Sequence, residues 1–296
     1  MTLSLKSRLA TGRAVLAPGA YDALSALLIE QAGFEAVYVS GASIAYTQLG
    51  RPDIGLVGFD QVADVVGRIC ERVGLPVIVD ADTGYGNALN VQRTVRGLER
   101  LGAAAIQIED QTFPKRCGHL VGKSLVSTEE MVGKVKAATD ARASDHTLII
   151  ARTDSIAVEG LTSALARAEA YLAAGADIIF IEAPQTRAEM AMIVSRFEGH
   201  CPLVANMVEG GQTPILSLDE LSALGFRLVI SPGAMVRALI PAAEAFLSSL
   251  KTHGTSLSFA EKMIDLAGVN QRIGLENLMN LGAEYDPNSA RSRQEG

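Results

Sequence analysis

The sequence predicts a parallel (β/α)8 barrel of the TIM type with a C-terminal helical extension. Three observations carry that expectation. A pattern of helix end, glycine and buried strand occurs four times; other short apolar runs fill the intervals between the copies; and nearly every run ends in a residue able to do chemistry. The copies are Glu30 to Gly41, Glu99 to Asp110, Leu172 to Ala183 and Ser222 to Gly233. In each, a glycine supplies the left-handed conformation that stops a helix, and a Val- and Ile-rich run suits a strand covered on both faces.

The elements follow in order. Leu3 to Leu9 reads as one or two amphipathic helical turns. A first strand, Ala14 to Ala17, is expected to end at Pro18-Gly19, and Asp22 is an N-cap for a helix with Leu24, Leu27, Leu28 and Ala32 at helical spacing. Strands at Pro76 to Asp80, Thr147 to Arg152 and Pro202 to Asn206 complete eight with the repeats. Helical segments between strands include Val91 to Leu101, Glu129 to Arg142, Leu161 to Ala174 and Ala234 to Leu250. An open doubly wound sheet is the competing topology, but no Gly-x-Gly-x-x-Gly follows the first strand. Thr83-Gly-Tyr-Gly-Asn87 is a weak phosphate-loop signal whose glycines also suit a tight turn. The barrel is assigned to residues 1–250. Residues 251–296, with short helices at Phe259 to Ala267 and Gly274 to Leu281 and a polar tail, form an extension of the same domain.

Composition narrows the function. With 26 basic and 33 acidic residues among 296, the net charge is −7 and no basic stripe is offered to nucleic acid. The three cysteines, Cys70, Cys117 and Cys201, are odd in number and contain no C-x-x-C pair, which points to a reducing compartment. No apolar run is long enough to span a bilayer. The N-terminal segment is a poor secretory signal, and its lack of acids before Asp22 is only a faint transit-peptide feature. A cytoplasmic, soluble protein is expected.

A parallel barrel gathers its strand ends at one mouth. Those ends carry Ser40, Asp80 with Asp82, Glu109, Arg152 with Asp154, Glu182, Asn206 and Ser231. On an extended strand Asp80 and Asp82 would share a face, and with Glu109 they make a carboxylate cluster that a hard divalent cation such as Mg2+ would relieve. Neutralisation by Arg152 and Lys115 without metal is the alternative. Zinc at Cys117 and His119 would be incomplete. In the loop Lys115-Arg-Cys-Gly-His119, the neighbouring cations favour the Cys117 thiolate and tune it as acid, base or nucleophile. Gly118 and Gly122 would let this loop move as a lid. A Schiff base through Lys115 is disfavoured on a mobile loop that does not desolvate the amine.

Four motifs, Lys-Arg-Cys-Gly-His at 115 to 119, Val-Asp-Ala-Asp-Thr-Gly-Tyr-Gly at 79 to 86, Ser-Gly at 40 to 41 and Ala-Arg-Thr-Asp at 151 to 154, carry a family resemblance. Over about Leu9 to Ala245 the chain resembles the isocitrate lyase and phosphoenolpyruvate mutase superfamily, nearest to its short 2-methylisocitrate and 2,3-dimethylmalate lyases. The resemblance implies a Mg2+ site, with Mn2+ as the substitute, surrounded by Asp80, Asp82 and Glu109. It implies substrate contacts from Ser40, Gly41, Ala42, Asp53, Gly118, Asn206 and Arg237, and catalytic positions at Tyr38, Lys115, Cys117, His119, Arg152 and Glu182. It further implies a homotetramer that exchanges its last barrel helix. The expected reaction is cleavage of a 2-hydroxy di- or tricarboxylate to a 2-oxo acid and a carboxylic acid. Cys117 protonates the leaving carbanion, and the initial base is either Tyr38 or Glu182. Leu266-Ala-Gly-Val-Asn270 lacks an arginine for a third carboxylate, although Arg272 lies close by, and Ala42-Ser43 replaces glycines, so smaller dicarboxylates stay open. Same-scaffold alternatives are an oxaloacetate hydrolase or decarboxylase and a phosphoryl mutase; a non-catalytic carboxylate-binding barrel is the alternative of another class.

Overall fold

The computed structural model describes residues 3–118 and 122–286. Eight parallel strands form the sheet: β1 Val15–Ala20, β2 Val37–Val39, β3 Val77–Asp80, β4 Ala105–Glu109, β5 Leu148–Thr153, β6 Ile178–Ile181, β7 Val204–Asn206 and β8 Leu228–Ser231. Their order is β6-β5-β4-β3-β2-β1-β8-β7. A parallel bridge between Ile179 and Leu203, with the Ile179 amide donating to the Pro202 carbonyl at 3.2 Å, brings β6 to β7 and closes the ring. The barrel therefore replaces the open-sheet alternative.

The repeated glycines act as the pattern requires. Gly33, Gly102, Gly175 and Gly225 all have positive φ, between 83° and 119°, where each preceding helix stops. Asp22 caps the helix Ala23–Gln31, its carboxylate accepting from the Ser25 amide at 2.7 Å. The first strand runs past its expected end, through Pro18 and Gly19 to Ala20. Proline lacks only the donor, and its neighbour across the β1–β8 ladder is Ser231.

Two apolar layers hold the barrel. The inner one joins Val15, Ala17, Tyr38, Ile78, Ala105, Ile150, Ile178, Phe180, Val204 and Ile230. Leu5 and Leu9 of the helix Leu5–Leu9 belong to it, so the N-terminal turn packs into the inner layer of the barrel. The outer layer packs alternate strand residues such as Val37, Val79, Ile106 and Ile149 against helix residues such as Val66, Ile69, Val95, Leu98 and Met131.

The chain divides into two compact units, Met1–Arg237 and Ala238–Gly296, with helix Ala234–His253 crossing the division. The second unit continues with a 3-10 turn over Ser256–Lys262 and helices Leu266–Ile273 and Leu275–Tyr285. The expected helix at Phe259 to Ala267 is thus broken at Met263, where the backbone is extended and Asp265 caps a new helix. Phe246 and Phe259 meet edge to face at 5.6 Å between ring centroids. Leu266, Leu278, Met279 and Tyr285 are each more than 60% exposed in this unit.

A Cβ on Gly19 would lie 1.9 Å from the Pro232 carbonyl oxygen. Only glycine permits that approach of backbones. Gly19→Ala should lower stability by about 3 kcal/mol, the upper range for overpacking, seen as a reduced urea midpoint at unchanged slope; an unchanged midpoint would refute this account of the β1–β8 seam.

Candidate active site

Alternation along the strands builds the mouth. The inward apolar series continue, two residues at a time, into polar ones: Ile78 into Asp80, Ala105 into Gln107 and Glu109, Ile150 into Arg152, Phe180 into Glu182, and Val204 into Asn206. Tyr38 precedes Ser40 in the same way. The same parity turns Asp110 outward. It is fully buried behind the barrel, accepting from Thr153 Oγ1 at 2.7 Å, the Asp154 amide at 3.0 Å and the Tyr171 hydroxyl at 2.8 Å.

On the floor, the Tyr38 hydroxyl donates to Gln107 Oε1 at 3.0 Å and Gln107 Nε2 donates to Asp80 Oδ1 at 3.2 Å. Burial, then Asp80, pushes the Tyr38 phenol well above its ordinary range, so it is a neutral donor in the resting chain. Asp82 does not continue an extended strand. β3 ends at Asp80, Asp82 turns with φ 49°, and its amide donates to Asp80 Oδ1 at 3.2 Å. The two carboxylates still converge, because a Cβ on Gly41 would meet Asp80 Oδ2 at 3.3 Å and Asp82 Oδ1 at 3.4 Å. Ser40 caps the short helix Gly41–Ile44, its Oγ accepting from the Ser43 amide, and Ala42 lies within that turn.

The opposite wall is organised by Arg152. Its guanidinium pairs with Glu109 Oε2 at 3.3 Å and Glu182 Oε2 at 3.5 Å, and grips Asp154 through Nε at 2.9 Å and Nη2 at 3.0 Å. Asn206 Nδ2 donates to Glu182 at 3.0 Å. Glu109 Oε1 and Asn206 Oδ1 are buried without a hydrogen-bond partner. Burial raises the Glu109 carboxyl well above its ordinary value despite Arg152.

The Cys117 loop lies across this wall. Lys115 is 4% exposed and its Nζ sits 2.5 Å from Asp53 and 2.6 Å from Asp82. Burial would lower its pKa, but Asp82, Asp53 and Glu109 outweigh it and hold the amine well above its ordinary value. Lys115 is therefore desolvated, contrary to the sequence expectation, yet its carboxylate partners favour the charged amine, which disfavours a Schiff-base nucleophile. The Cys117 amide donates to the Asp53 carbonyl at 3.2 Å, and the Gln111 side chain brackets Arg116 with bonds of 2.8 and 2.9 Å. Gly118 is packed so closely that a Cβ would come 2.4 Å from Arg152 Nη2, and one on Gly122 would come 2.7 Å from Arg116 Nη1. Gly118 thus permits close packing against Arg152 and Glu182, and Gly122 adopts a φ of 78°, where glycine is favoured. His119 lies outside the described residues. Arg237 stands on the rim, about half exposed, paired with Glu209 at 3.0 Å.

Several neighbours escaped the sequence reading: Gln107, Lys123 and Tyr46. Burial, then Cys117 and Asp53, raises the Tyr46 phenol. Parity alone would have found Gln107, which lies between Ala105 and Glu109 on one face. Tyr46 sits in a π-helical turn, Ala45–Leu49, that no sequence period announces.

Six buried carboxylates, Asp53, Asp80, Asp82, Glu109, Asp154 and Glu182, thus share three cations, Lys115, Lys123 and Arg152. The pairings of Lys115 and Arg152 are those of the metal-free alternative, but they leave a deficit of positive charge. Among the described residues no three His, Cys, Asp or Glu side chains converge as direct metal ligands. The donors are all oxygen and one, Glu109 Oε1, is unpartnered, which fits a hard cation held by few carboxylates and completed by water or substrate oxygens.

A barrel whose mouth joins a carboxylate floor to a cationic thiol loop belongs to a definable class of carboxylate-processing enzymes. Residues 5–251 match the family model for phosphoenolpyruvate phosphomutase, and the chain belongs to that family, within the isocitrate lyase and phosphoenolpyruvate mutase superfamily. Its relatives are lyases and mutases. It is 44% identical to 2,3-dimethylmalate lyase of Eubacterium barkeri over 95% of this chain and 96% of that one. It is 46% identical to 2-methylisocitrate lyase of Aeropyrum pernix over 91% of this chain and 86% of that one. Among solved structures it superposes on oxaloacetate acetylhydrolase in complex with 3,3-difluorooxalacetate at a TM-score of 0.90, with 32% identity and coverage of 96% and 97%. It matches a 2,3-dimethylmalate lyase structure at 0.90, with 35% identity and coverage of 96% and 94%. A phosphonopyruvate hydrolase complexed with oxalate and Mg2+ superposes at 0.86, with 33% identity and coverage of 95% and 97%.

Burial first, then Asp80 and Asp53, pushes the Asp82 carboxyl up to about 7 against the pull of Lys115. Between its unfolded value of about 3.9 and that raised value the folded chain binds a proton the unfolded chain does not, so this group's stabilising contribution is lost as pH rises through the window. In EDTA-treated protein, Asp82→Asn should therefore be favoured relative to the parent more at pH ~8 than at pH ~5. Parallel melting-temperature profiles for the two proteins would contradict the raised carboxyl.

Proposed function

We propose that this chain cleaves the C2–C3 bond of a 2-hydroxy dicarboxylate of the 2,3-dimethylmalate type, giving pyruvate and a carboxylic acid. The observation that carries the reading is the docking of the Cys117 loop, through Gly118, onto Arg152 and Glu182, with Lys115 of the same loop set between Asp53 and Asp82. The lyase relatives and the loop motif support it.

Mg2+, or Mn2+ in its place, would be held by Asp80, Asp82 and Glu109, and when bound would polarise the substrate's C1 carboxylate and C2 hydroxyl. The chain's own groups supply the rest. Glu182, held by Asn206 and Arg152, takes the C2 hydroxyl proton; the neutral, hydrogen-bonded Tyr38 is the weaker candidate for base and lies on the floor as a donor. As C2 becomes a carbonyl, the C2–C3 electron pair passes to C3 and spreads over the leaving carboxylate. The Cys117 thiol gives C3 its proton, and exchange with water restores Cys117 and Glu182. Arg152 and His119 balance the negative charge, while Ser40, Gly41, Ala42, Asp53, Gly118 and Arg237 frame the substrate. The tricarboxylate 2-methylisocitrate is the nearest competing substrate; the absence of an arginine in Leu266 to Asn270 favours the smaller acid. Oxaloacetate hydrolysis is the second reading, favoured by the TM-score of 0.90 to the acetylhydrolase.

Among the described residues, no helix is long and apolar enough to cross a membrane. We infer a cytoplasmic homotetramer with exchanged helices, supported by the exposed Leu266, Leu278, Met279 and Tyr285 of the second unit, apolar side chains that a subunit interface would cover. Light scattering after size exclusion should give about four chain masses, and a 31.1 kDa monomer would refute it.

Proton NMR with Mg2+ and racemic 2,3-dimethylmalate should show pyruvate and propionate forming together. Cys117→Ser should lower turnover by about 10²- to 10⁴-fold, the range for a general acid, with pyruvate binding retained in calorimetry. Full activity of that variant would remove Cys117 from the mechanism, and phosphorus NMR showing rearrangement of a phosphonate substrate would replace the lyase reading by a mutase.

A further inference from the structure

Lys123 is a buried cation that neither the motif nor the proposed chemistry uses. Its Nζ is 2.8 Å from Asp154 Oδ1, with both side chains almost wholly buried, and it also donates to the carbonyl oxygen of Gly118. Asp154 is already gripped by Arg152 through two bonds, so it does not need a lysine for lack of partners. The second contact of Lys123 is the informative one. Gly118 follows Cys117 directly, and its Cα packs against Arg152 and Glu182 with no room for a side chain.

We propose that Lys123 is a positioning residue for the thiol: it ties the Gly118 carbonyl to the carboxylate that also orients Arg152. The Cys117 loop and the guanidinium are thereby referred to one fixed group, Asp154. The loop is held on its other side by Lys115 on Asp53 and Asp82 and by the Cys117 amide on the Asp53 carbonyl. Cys117 is thus suspended between two lysine anchors on opposite walls of the mouth. Asp154 is itself tied down, since its amide donates to Asp110 at 3.0 Å and its side chain is fully buried. A purely structural ion pair at this place could be replaced by apolar groups of similar volume at little cost. A positioning pair could not, because displacement of about 1 Å at a reacting group can cost about 10²-fold in rate.

The proposal rests on the lyase reading for its kinetic arm only. The test compares Lys123→Met, Lys123→Gln and Lys123→Arg in the full-length, Mg2+-supplemented protein. One readout needs no substrate: the rate of iodoacetamide alkylation at each cysteine, followed by peptide mass spectrometry. Cys70 and Cys201 are internal controls, their thiols pushed up to about 11 by burial. The other readout is kcat and KM for 2,3-dimethylmalate. Lys123→Met and Lys123→Gln should accelerate alkylation of Cys117 alone several-fold and lower kcat by about 100-fold with KM changed far less. Lys123→Arg, which keeps the charge on Asp154, should recover most of both. If the methionine variant does not fold, the glutamine variant, closer to lysine in shape and polarity, decides. Cys117 alkylation and kcat within twofold of the parent, or equal acceleration at all three cysteines, would overturn the assignment. Selective acceleration at Cys117 in a protein that turns over none of the hydroxy acids would uphold the positioning role and sink the lyase reading instead.

Discussion

The mouth of this barrel depends on one buried carboxylate, Asp154. Burial alone would raise its pKa; Arg152 and Lys123 more than offset that and hold it below the ordinary carboxylate range. Because its amide is fixed by Asp110, and Asp110 is fixed by Thr153 and Tyr171, the anchor extends through the sheet into the outer layer. Arg167 continues it, donating to the Val126 carbonyl at 3.0 Å and to Glu159 at 2.8 Å. The guanidinium of Arg152 at the barrel mouth is thus the inner end of a polar network whose outer end closes the loop at Val126. Breaking such a buried pair by removing one partner costs about 3–5 kcal/mol, which is the scale on which the network resists displacement.

Strain is concentrated at the same mouth. Among the described residues, Asp82, Tyr85 and Ala183 are the non-glycine residues with positive φ, and all three follow strands whose ends carry the site. Each such residue costs on the order of 1–3 kcal/mol. A closed barrel tolerates this because its strands are tied on both sides. The gain is directional: the turn at Asp82 aims its carboxylate at Lys115, and the turn at Ala183 follows Glu182, which Asn206 and Arg152 hold in place.

Much of this was legible in the residues. The glycine-stopped repeat encoded four helix ends and four strands, and strand-end chemistry encoded Asp80, Glu109, Arg152, Glu182 and Asn206. What escaped has a physical pattern. Glu109 and Asp110 are adjacent in sequence, yet period two sends one into the barrel and the other behind it. Asp82 lay beyond the strand's end, where alternation no longer fixes direction. Lys123 pairs with a residue 31 positions away, and only the fold brings the two together. Pro18-Gly19 read as a strand end because breakers usually punctuate; here the missing Cβ is what lets β1 approach Pro232.

The loop shows the same contrast between composition and context. Two glycines and a cluster of cations suggest a free lid when read as local chemistry. In the fold, Gly118 is small enough to seat the loop against Arg152 and Glu182, and Lys115 sets a charge between Asp53 and Asp82. Lys115 reaches both Asp53 and Asp82, so the loop and the carboxylate floor share one cation. The loop that carries Cys117 meets the carboxylate floor through Lys115, which makes the lysine the joint between the two halves of the site.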